Sequence, residues 1–425
     1  MRFKTIAEKF SFPGPVALLF FLICLGTFFL NFPFGAKIKY IWSDAEGYYQ
    51  YLPAIFSGGD LKHLPYAVPL ENGNTLNIFH IGVAILQAPF YLIAEFLAPI
   101  FGYPRDGRSD IYMFLLGIGA SVYLALGLFF IQLFLRNFFE KGVILISVIG
   151  VFFGSNLYYY STLEVGMSHV YSFFLFSLFL FLTHRFHESQ TFSRAIMLGL
   201  IAGLIIVIRP NNGIVILALI FYGLNSLKEV GPRMTWWIRQ YKLVLTMLGA
   251  AFFITFFQMW YWYTVAGKWI LFSYGQIGQQ FFWTKAVMGK VLFSPQNGFF
   301  IYAPIMAFAL IGIFWGAMKK QNTFFVFLVI WALAWYIFSS WWCWWFGGAY
   351  GHRAFIEYFA LLFPGMAFFI NKIKHSKWVT LSFGSVAFIL LFISVRMTFL
   401  YTSPWDGPEW GWDDVGQVMQ NVFFY

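Results

Sequence analysis

The chain has 425 residues, of which 60% are hydrophobic, 24% aromatic and only 10% charged. Soluble domains carry about 25% charged residues, so this composition excludes a soluble enzyme and predicts an all-α polytopic membrane protein. The net charge of +10 does not point to nucleic acid, because the basic residues fall in short segments between apolar runs.

The N-terminus carries Arg2, Lys4 and Lys9 and then an apolar run with no small-residue cleavage site. That pattern predicts a retained first helix rather than a signal peptide. A bilayer core takes about 20 mostly apolar residues per helix. Spans are predicted near 15–33, 111–135, 142–158, 168–183, 195–209, 212–227, 243–265, 299–318, 322–340, 353–371 and 378–400. A further apolar stretch, 79–102, contains Pro89, Glu95 and Pro99, with His80 near its start; it is predicted as a re-entrant or interface-lying helix. With eleven spans and a cytoplasmic N-terminus, sixteen of the 27 basic residues but only four of the 17 acids lie inside, as the positive-inside rule requires. Counting 79–102 as a crossing inverts most later loops and removes that asymmetry.

The expectation is a single transmembrane domain, 1–425, with outer segments at 34–110, 159–167, 209–212, 266–298 and 341–352 and a short outer tail at 401–425. No Asn-x-Ser/Thr sequon occurs, which leans towards a bacterial inner membrane. Cys24 and Cys343 lie in apolar or Trp-rich sequence without metal or disulfide spacing.

Every unusual polar motif falls in an outer segment, and ionisable groups held at a membrane are costly and usually functional. The first is Trp42-Ser43-Asp44-Ala45-Glu46-Gly47-Tyr48-Tyr49. Ser43-x-x-Glu46 reads as a capping box, which accounts for Glu46 better than for Asp44. The functional alternative makes Asp44 a general base, or one of the two acids a metal ligand, with Glu46 at the sugar or acceptor. The second motif runs from Tyr158 to His169. Glu164 and His169 could join Asp44 as a proton-handling set or hold a divalent metal, Mg or Mn. The plainer reading is a solvated turn acid and a packing histidine.

Two cation motifs follow. In Arg209-Pro210-Asn211-Asn212, Pro210 suits the first turn of a helix, and Arg209 either snorkels to the interface or meets a phosphate. In Gly351-His352-Arg353, Glu357 follows Arg353 at i, i+4. The two either pair internally or bind and orient an anion. Lys268, Lys285 and Lys290 populate 266–298, and the last two are candidate phosphate contacts. Finally, Trp341-Trp342-Cys343-Trp344-Trp345 is an interfacial belt or a stacking surface for sugar. Trp341, Trp345, His80 and His352 are its candidate sugar or acceptor contacts. No Walker loop, HExxH or GxSxG occurs.

The layout of about the first 270 residues resembles the GT-C superfamily of integral-membrane glycosyltransferases, near the polyprenyl-phosphate-sugar-dependent protein-mannosyltransferase and aminoarabinosyltransferase group. One N-terminal span leads to a large outer loop with an acidic motif, here Asp44-Ala45-Glu46. A semi-buried helix follows at 79–102, and a second acidic turn, Thr162-Leu163-Glu164, lies between the third and fourth spans. Trp341–Arg353 also resembles bacterial members. The resemblance implies that Asp44 is the catalytic base or the acid beside the donor phosphate, and that Glu164 assists. Many relatives carry a large soluble outer domain after the last span; here the tail is 401–425, so acceptor recognition is expected from loops, a partner or the lipid phase.

The combined reading is an inverting glycosyltransferase. It moves a hexose or pentose from a polyprenyl-phosphate donor, with Arg209, Arg353, Lys285 and Lys290 near the phosphate. The acceptor is a hydroxyl on a glycan, lipid or protein. A flippase or transporter of lipid-linked saccharides would be expected to show two similar halves with matching broken helices, and no such repeat is found. A ligase is the nearer rival, but its long late outer loop is replaced by the modest 266–298.

Overall fold

Phe, Leu and Ile fill the long apolar runs, and in hydrocarbon every backbone N–H and C=O needs a partner within its own segment. The runs are therefore helices. The computed structural model describes residues 12–33, 41–321, 323–400 and 410–424. The N-terminal basic cluster, the start of the first outer segment and residues 401–409 of the tail lie outside them.

In chain order the helices are α1 (Pro13–Asn31), α2 (Ser43–Tyr49), α3 (Tyr51–Phe56), α4 (Gly82–Leu97), α5 (Asp110–Leu135), α6 (Lys141–Phe153), α7 (Leu157–Thr162), α8 (His169–Glu188) and α9 (Phe192–Ile208). They continue with α10 (Ile216–Ile220), α11 (Val230–Arg239), α12 (Tyr241–Ala266), α13 (Met288–Phe293), α14 (Phe299–Tyr302), α15 (Met306–Met318), α16 (Phe324–Ser340), α17 (Phe359–Ile373), α18 (Lys377–Leu400) and α19 (Trp412–Phe424). A two-stranded hairpin pairs Val68–Pro69 with Thr75–Leu76. Among the described residues, six helices have the length and apolarity to cross a membrane: α1, α4 with its 3₁₀ extension to Phe101, α5, α8, α12 and α18. The chain is a polytopic membrane protein.

Helix α8 lies at the centre, every side chain from His169 to Leu180 buried, and it packs on α5, α9 and α17. Small residues set the closest approaches. A Cβ on Gly312 of α15 would stand 1.9 Å from the Gly365 carbonyl of α17, so only glycine allows those backbones to meet.

Several predicted spans are broken, each for a local reason. The span at 142–158 stops at Phe153, and Gly154-Ser155-Asn156 turns into α7. The span at 299–318 divides into α14 and α15 around Pro304, which brings no N–H to a helix. The span at 212–227 is instead a 3₁₀ turn running into α10, ending at Ile220. Its eleven residues reach about 20 Å, short of the roughly 30 Å core. The stretch at 79–102, predicted as a re-entrant or interface-lying helix, is helical over Gly82–Phe101, and its 20 residues have the length and apolarity of a crossing helix. Two amphipathic helices, α11 and α19, had no counterpart among the predicted spans.

Candidate active site

Positions i and i+2 of a helix do not face one another, and α2 uses this to separate its two acids. Asp44 accepts a hydrogen bond of 2.8 Å from Arg353 Nη2. Glu46 points elsewhere and is 2% exposed; Arg108 grips it through Nη1 at 2.7 Å and Nη2 at 2.6 Å. The predicted capping box is not formed. Ser43 takes φ of +52° and its hydroxyl turns to Asp44 Oδ1 at 3.4 Å, while Glu46 is committed to Arg108. Arg108 is itself set by the Asp106 carboxylate, which accepts from the N–H groups of Arg108 and Ser109. Arg108 escaped the sequence reading; its signal was a lone Arg-Asp-Gly-Arg turn just before a span.

A second layer lies behind this pair. Glu357 is fully buried. It accepts from Asn212 Nδ2 at 3.0 Å and Arg209 Nη1 at 3.5 Å, and His169 Nδ1 lies 3.3 Å from its other oxygen. Asn212 in turn accepts from the Tyr358 hydroxyl, and the Tyr48 ring lies beside the Arg209 charge. The predicted i, i+4 pair of Arg353 with Glu357 is therefore absent. Gly351 adopts φ of +65° and Arg353–Phe355 is a 3₁₀ turn, so α-helical spacing does not apply and each residue pairs elsewhere. Asn212 and Tyr48 were not singled out from the sequence.

The acidic turn before α8 packs directly on α2. A Cβ on Gly166 would lie 2.8 Å from that of Ala45. The turn is fixed by Tyr171, whose hydroxyl donates to the Val165 carbonyl, and by Gln87 at the Gly166 carbonyl. Glu164 lines a cavity of about 170 Å³ with Trp42, Tyr159, Tyr160, Met167, Gly348 and Ala349. Burial pushes its carboxyl from the ordinary 4.5 up to about 7; Arg353 and Tyr159 oppose that rise, and the charge of Asp44 adds to it. Asp44, Glu164 and Arg353 thus share one electrostatic site.

The remaining candidates are more scattered. His80 is buried edge-on against Trp262 and near Tyr274. Tyr274, another residue missed from the sequence, senses the charges of Asp44, Arg209 and Arg353. His352 is buried with Nε2 3.0 Å from the Trp344 carbonyl, and burial lowers its ring to about 3, so it stays neutral. Trp341 packs on Phe281 and Tyr274, and Trp345 on Trp342 and Trp344. Lys285 and Lys290 are exposed, with Lys290 over the Trp344 ring, and neither forms an ion pair among the described residues.

The predicted metal pair of Glu164 with His169 is not assembled, since His169 faces Glu357 and packs on Tyr160. Among the described residues no group of three or more His, Cys, Asp or Glu gathers to hold a metal ion. Among the described residues, Glu164 and His169 therefore do not form the Mg or Mn pair expected of them.

Fold and site together define an all-α, polytopic membrane protein. Three solved structures share this fold. The oligosaccharyltransferase of Archaeoglobus fulgidus in its apo form aligns over 99% of this chain and 59% of its own, with TM-score 0.54 and 14% identity. The same enzyme with Zn and sulfate aligns over 96% and 56%, with TM-score 0.51 and 17% identity. The archaeal oligosaccharyltransferase AglB from that organism, in complex with an inhibitory peptide and a dolichol-phosphate, aligns over 98% and 58%, with TM-score 0.51 and 15% identity. The chain spans under three fifths of the length of these proteins, and the likeness is one of fold. No protein-family model and no curated protein matches the sequence.

Proposed function

We propose that this protein is an inverting glycosyltransferase that moves a sugar from a polyprenyl-phosphate donor to an acceptor hydroxyl at the outer face of a bacterial inner membrane. The observation that carries the reading is the Asp44–Arg353 ion pair beside the Glu164-lined cavity. It brings to one place a carboxylate, an arginine cation and a second acid that burial raises to about 7, the groups a base, a phosphate contact and a proton-sharing partner require. The bound dolichol-phosphate of the structurally similar AglB supports a lipid-linked donor.

The donor phosphate competes for Arg353 and releases Asp44. Asp44 takes the proton of the acceptor hydroxyl as its oxygen attacks the anomeric carbon. The bond from that carbon to the phosphate oxygen breaks, and polyprenyl phosphate leaves with the electron pair. A positioned general base contributes about 10²–10⁴-fold. Arg353, with Lys290 or Lys285 at the rim, offsets charge growing on the leaving phosphate. Glu164, near half-protonation at neutral pH, hydrogen-bonds the incoming hydroxyl, while Trp341, Trp345 and the buried His352 shape the sugar side. The acceptor is a glycan, lipid or protein hydroxyl.

Mass spectrometry of transfer from a synthetic polyprenyl-phosphate sugar, with and without chelator, tests this reading. Asp44→Asn is expected to keep the fold and lose transfer by at least about 100-fold. Full activity in that variant would sink the assignment. Movement of the intact donor across the bilayer without glycosyl transfer would instead indicate a flippase.

A further inference from the structure

A cavity of about 370 Å³ lies at the other end of α8 from Glu164. His169 and His187 are eighteen residues apart on that helix, about 27 Å along its axis, close to the thickness of a hydrocarbon core. The cavity sits between the end of α8 and the amphipathic helix α11, which leads through Gln240 into α12, one of the six helices able to cross a membrane. It is therefore a pocket at the opposite membrane edge, with no part in the site described above.

Its walls are specific. His187 stacks on Trp236 with ring centres 5.4 Å apart, and its Nε2 is held by the Leu219 carbonyl at 2.8 Å. These rings form a fixed aromatic wall. The Arg233 guanidinium lies 5.7 Å from the Trp236 ring centre. Its Nη1 is buried and has no hydrogen-bond partner, and Arg233 makes no ion pair among the described residues. Glu229 ends the 3₁₀ turn Leu227–Glu229 that leads into α11, close enough for its charge to act on Arg233. It is exposed and, among the described residues, accepts from the Asn225 N–H and the Ser226 hydroxyl. The pocket thus offers an unpaired cation and, just before α11, a carboxylate with spare acceptor positions. Flanking Leu227 and Ile238 are 76% and 73% exposed, which places apolar side chains where acyl chains run.

We propose that this pocket binds the headgroup of a zwitterionic phospholipid of the phosphoethanolamine class, with the phosphodiester on Arg233 and the ammonium on Glu229. A purely anionic headgroup satisfies Arg233 but meets Glu229 with like charge, so the paired geometry selects the zwitterion. Burying an unpaired guanidinium nitrogen is costly, and a lipid phosphate removes that cost.

Native mass spectrometry of the full-length protein with equimolar phosphatidylethanolamine and phosphatidylglycerol tests the proposal. Wild type is expected to retain phosphatidylethanolamine preferentially, Arg233→Gln to lower its retention about tenfold, and Glu229→Gln to erase the preference between the two lipids. Arg239→Gln, on the same helix but outside the cavity, should leave retention unchanged. Equal retention of both lipids by the wild type, or undiminished retention in Arg233→Gln, overturns the proposal. Glu229 is exposed, so its variant keeps the test valid if Arg233→Gln fails to fold. Soluble glycerophosphoethanolamine binding as tightly as the lipid would overturn the lipid assignment.

Discussion

Glu164→Gln separates the electrostatics of the site from its chemistry. The carboxyl sits near 7 instead of 4.5, chiefly through burial. Its folded value lies above its ordinary one, so the neutral form is the stabilising one. That contribution is fully present below about pH 4.5 and is lost as the pH rises through about 7. At about 1.4 kcal/mol per pH unit, the wild type gives up roughly 3 kcal/mol between those limits. Glutamine copies the neutral acid and never ionises. Melting temperatures of the two proteins in nanodiscs, measured from pH 4.5 to pH 9, are therefore expected to lie closest at the acid end, to diverge as the pH rises to about 7 and to stay apart by a constant gap above it, with the variant the more stable. Transfer activity should fall in the same variant. A gap that stays constant over that whole range, or a variant less stable at pH 8 than at pH 5 relative to wild type, refutes the claim that Glu164 is held in a desolvated cavity.

Other outcomes follow from the packing and the ion pairs. Arg108→Gln removes two charge-assisted hydrogen bonds from the buried Glu46 carboxylate; Arg108 is 36% exposed, so the expected loss is about 1–3 kcal/mol rather than that of a fully buried pair, read by thermal or denaturant unfolding. Gly312→Ala forces a methyl against the Gly365 carbonyl and should cost about 1–3 kcal/mol. Gly249→Ala, whose Cβ would meet nothing within 4 Å, should instead stabilise α12 by about 0.5–1 kcal/mol. His352 is lowered to about 3, so any limb of the pH–rate profile between pH 5 and 8 should persist in His352→Gln.

The layout was legible because hydrocarbon admits few alternatives: runs of Phe, Leu and Ile became helices at or near their predicted places. The acids at 44 and 164 were legible as candidates because they interrupt such runs. Their partners were not. Asp44 and Arg353 are 309 residues apart, and no periodicity connects them. Local rules supplied plausible nearer partners, a cap for Glu46 and an i, i+4 mate for Arg353, and both yielded to distant ones. The capping box lost because Arg108 offers two charge-assisted hydrogen bonds to a carboxylate that is otherwise buried. The helical pair lost because the left-handed Gly351 and the following 3₁₀ turn remove the spacing on which the rule depends.

The structure also divides the two arginines that the sequence had left equivalent. Arg209 serves Glu357, which is fully buried and shared with Asn212 and His169. Withdrawing that cation strands a carboxylate with no access to water, at about 3–5 kcal/mol. Arg353 serves Asp44, whose side chain is 24% exposed and whose one cationic partner among the described residues it is. Water can solvate Asp44 when Arg353 leaves, so the exchange costs far less, in line with ion pairs that retain solvent. In the proposed mechanism Arg353 is the arginine that trades a carboxylate for a phosphate, and Arg209 holds the layer behind it. Arg209→Lys should therefore act mainly on stability, because a lysine cannot reproduce the planar geometry that meets Glu357 beside Asn212. Arg353→Lys should leave melting nearly unchanged and raise KM for a polyprenyl-phosphate sugar by about tenfold, the loss of one charge-assisted contact. The reverse pattern, with Arg353→Lys unfolding the protein and Arg209→Lys altering only KM, would show that the donor phosphate is met in the inner layer.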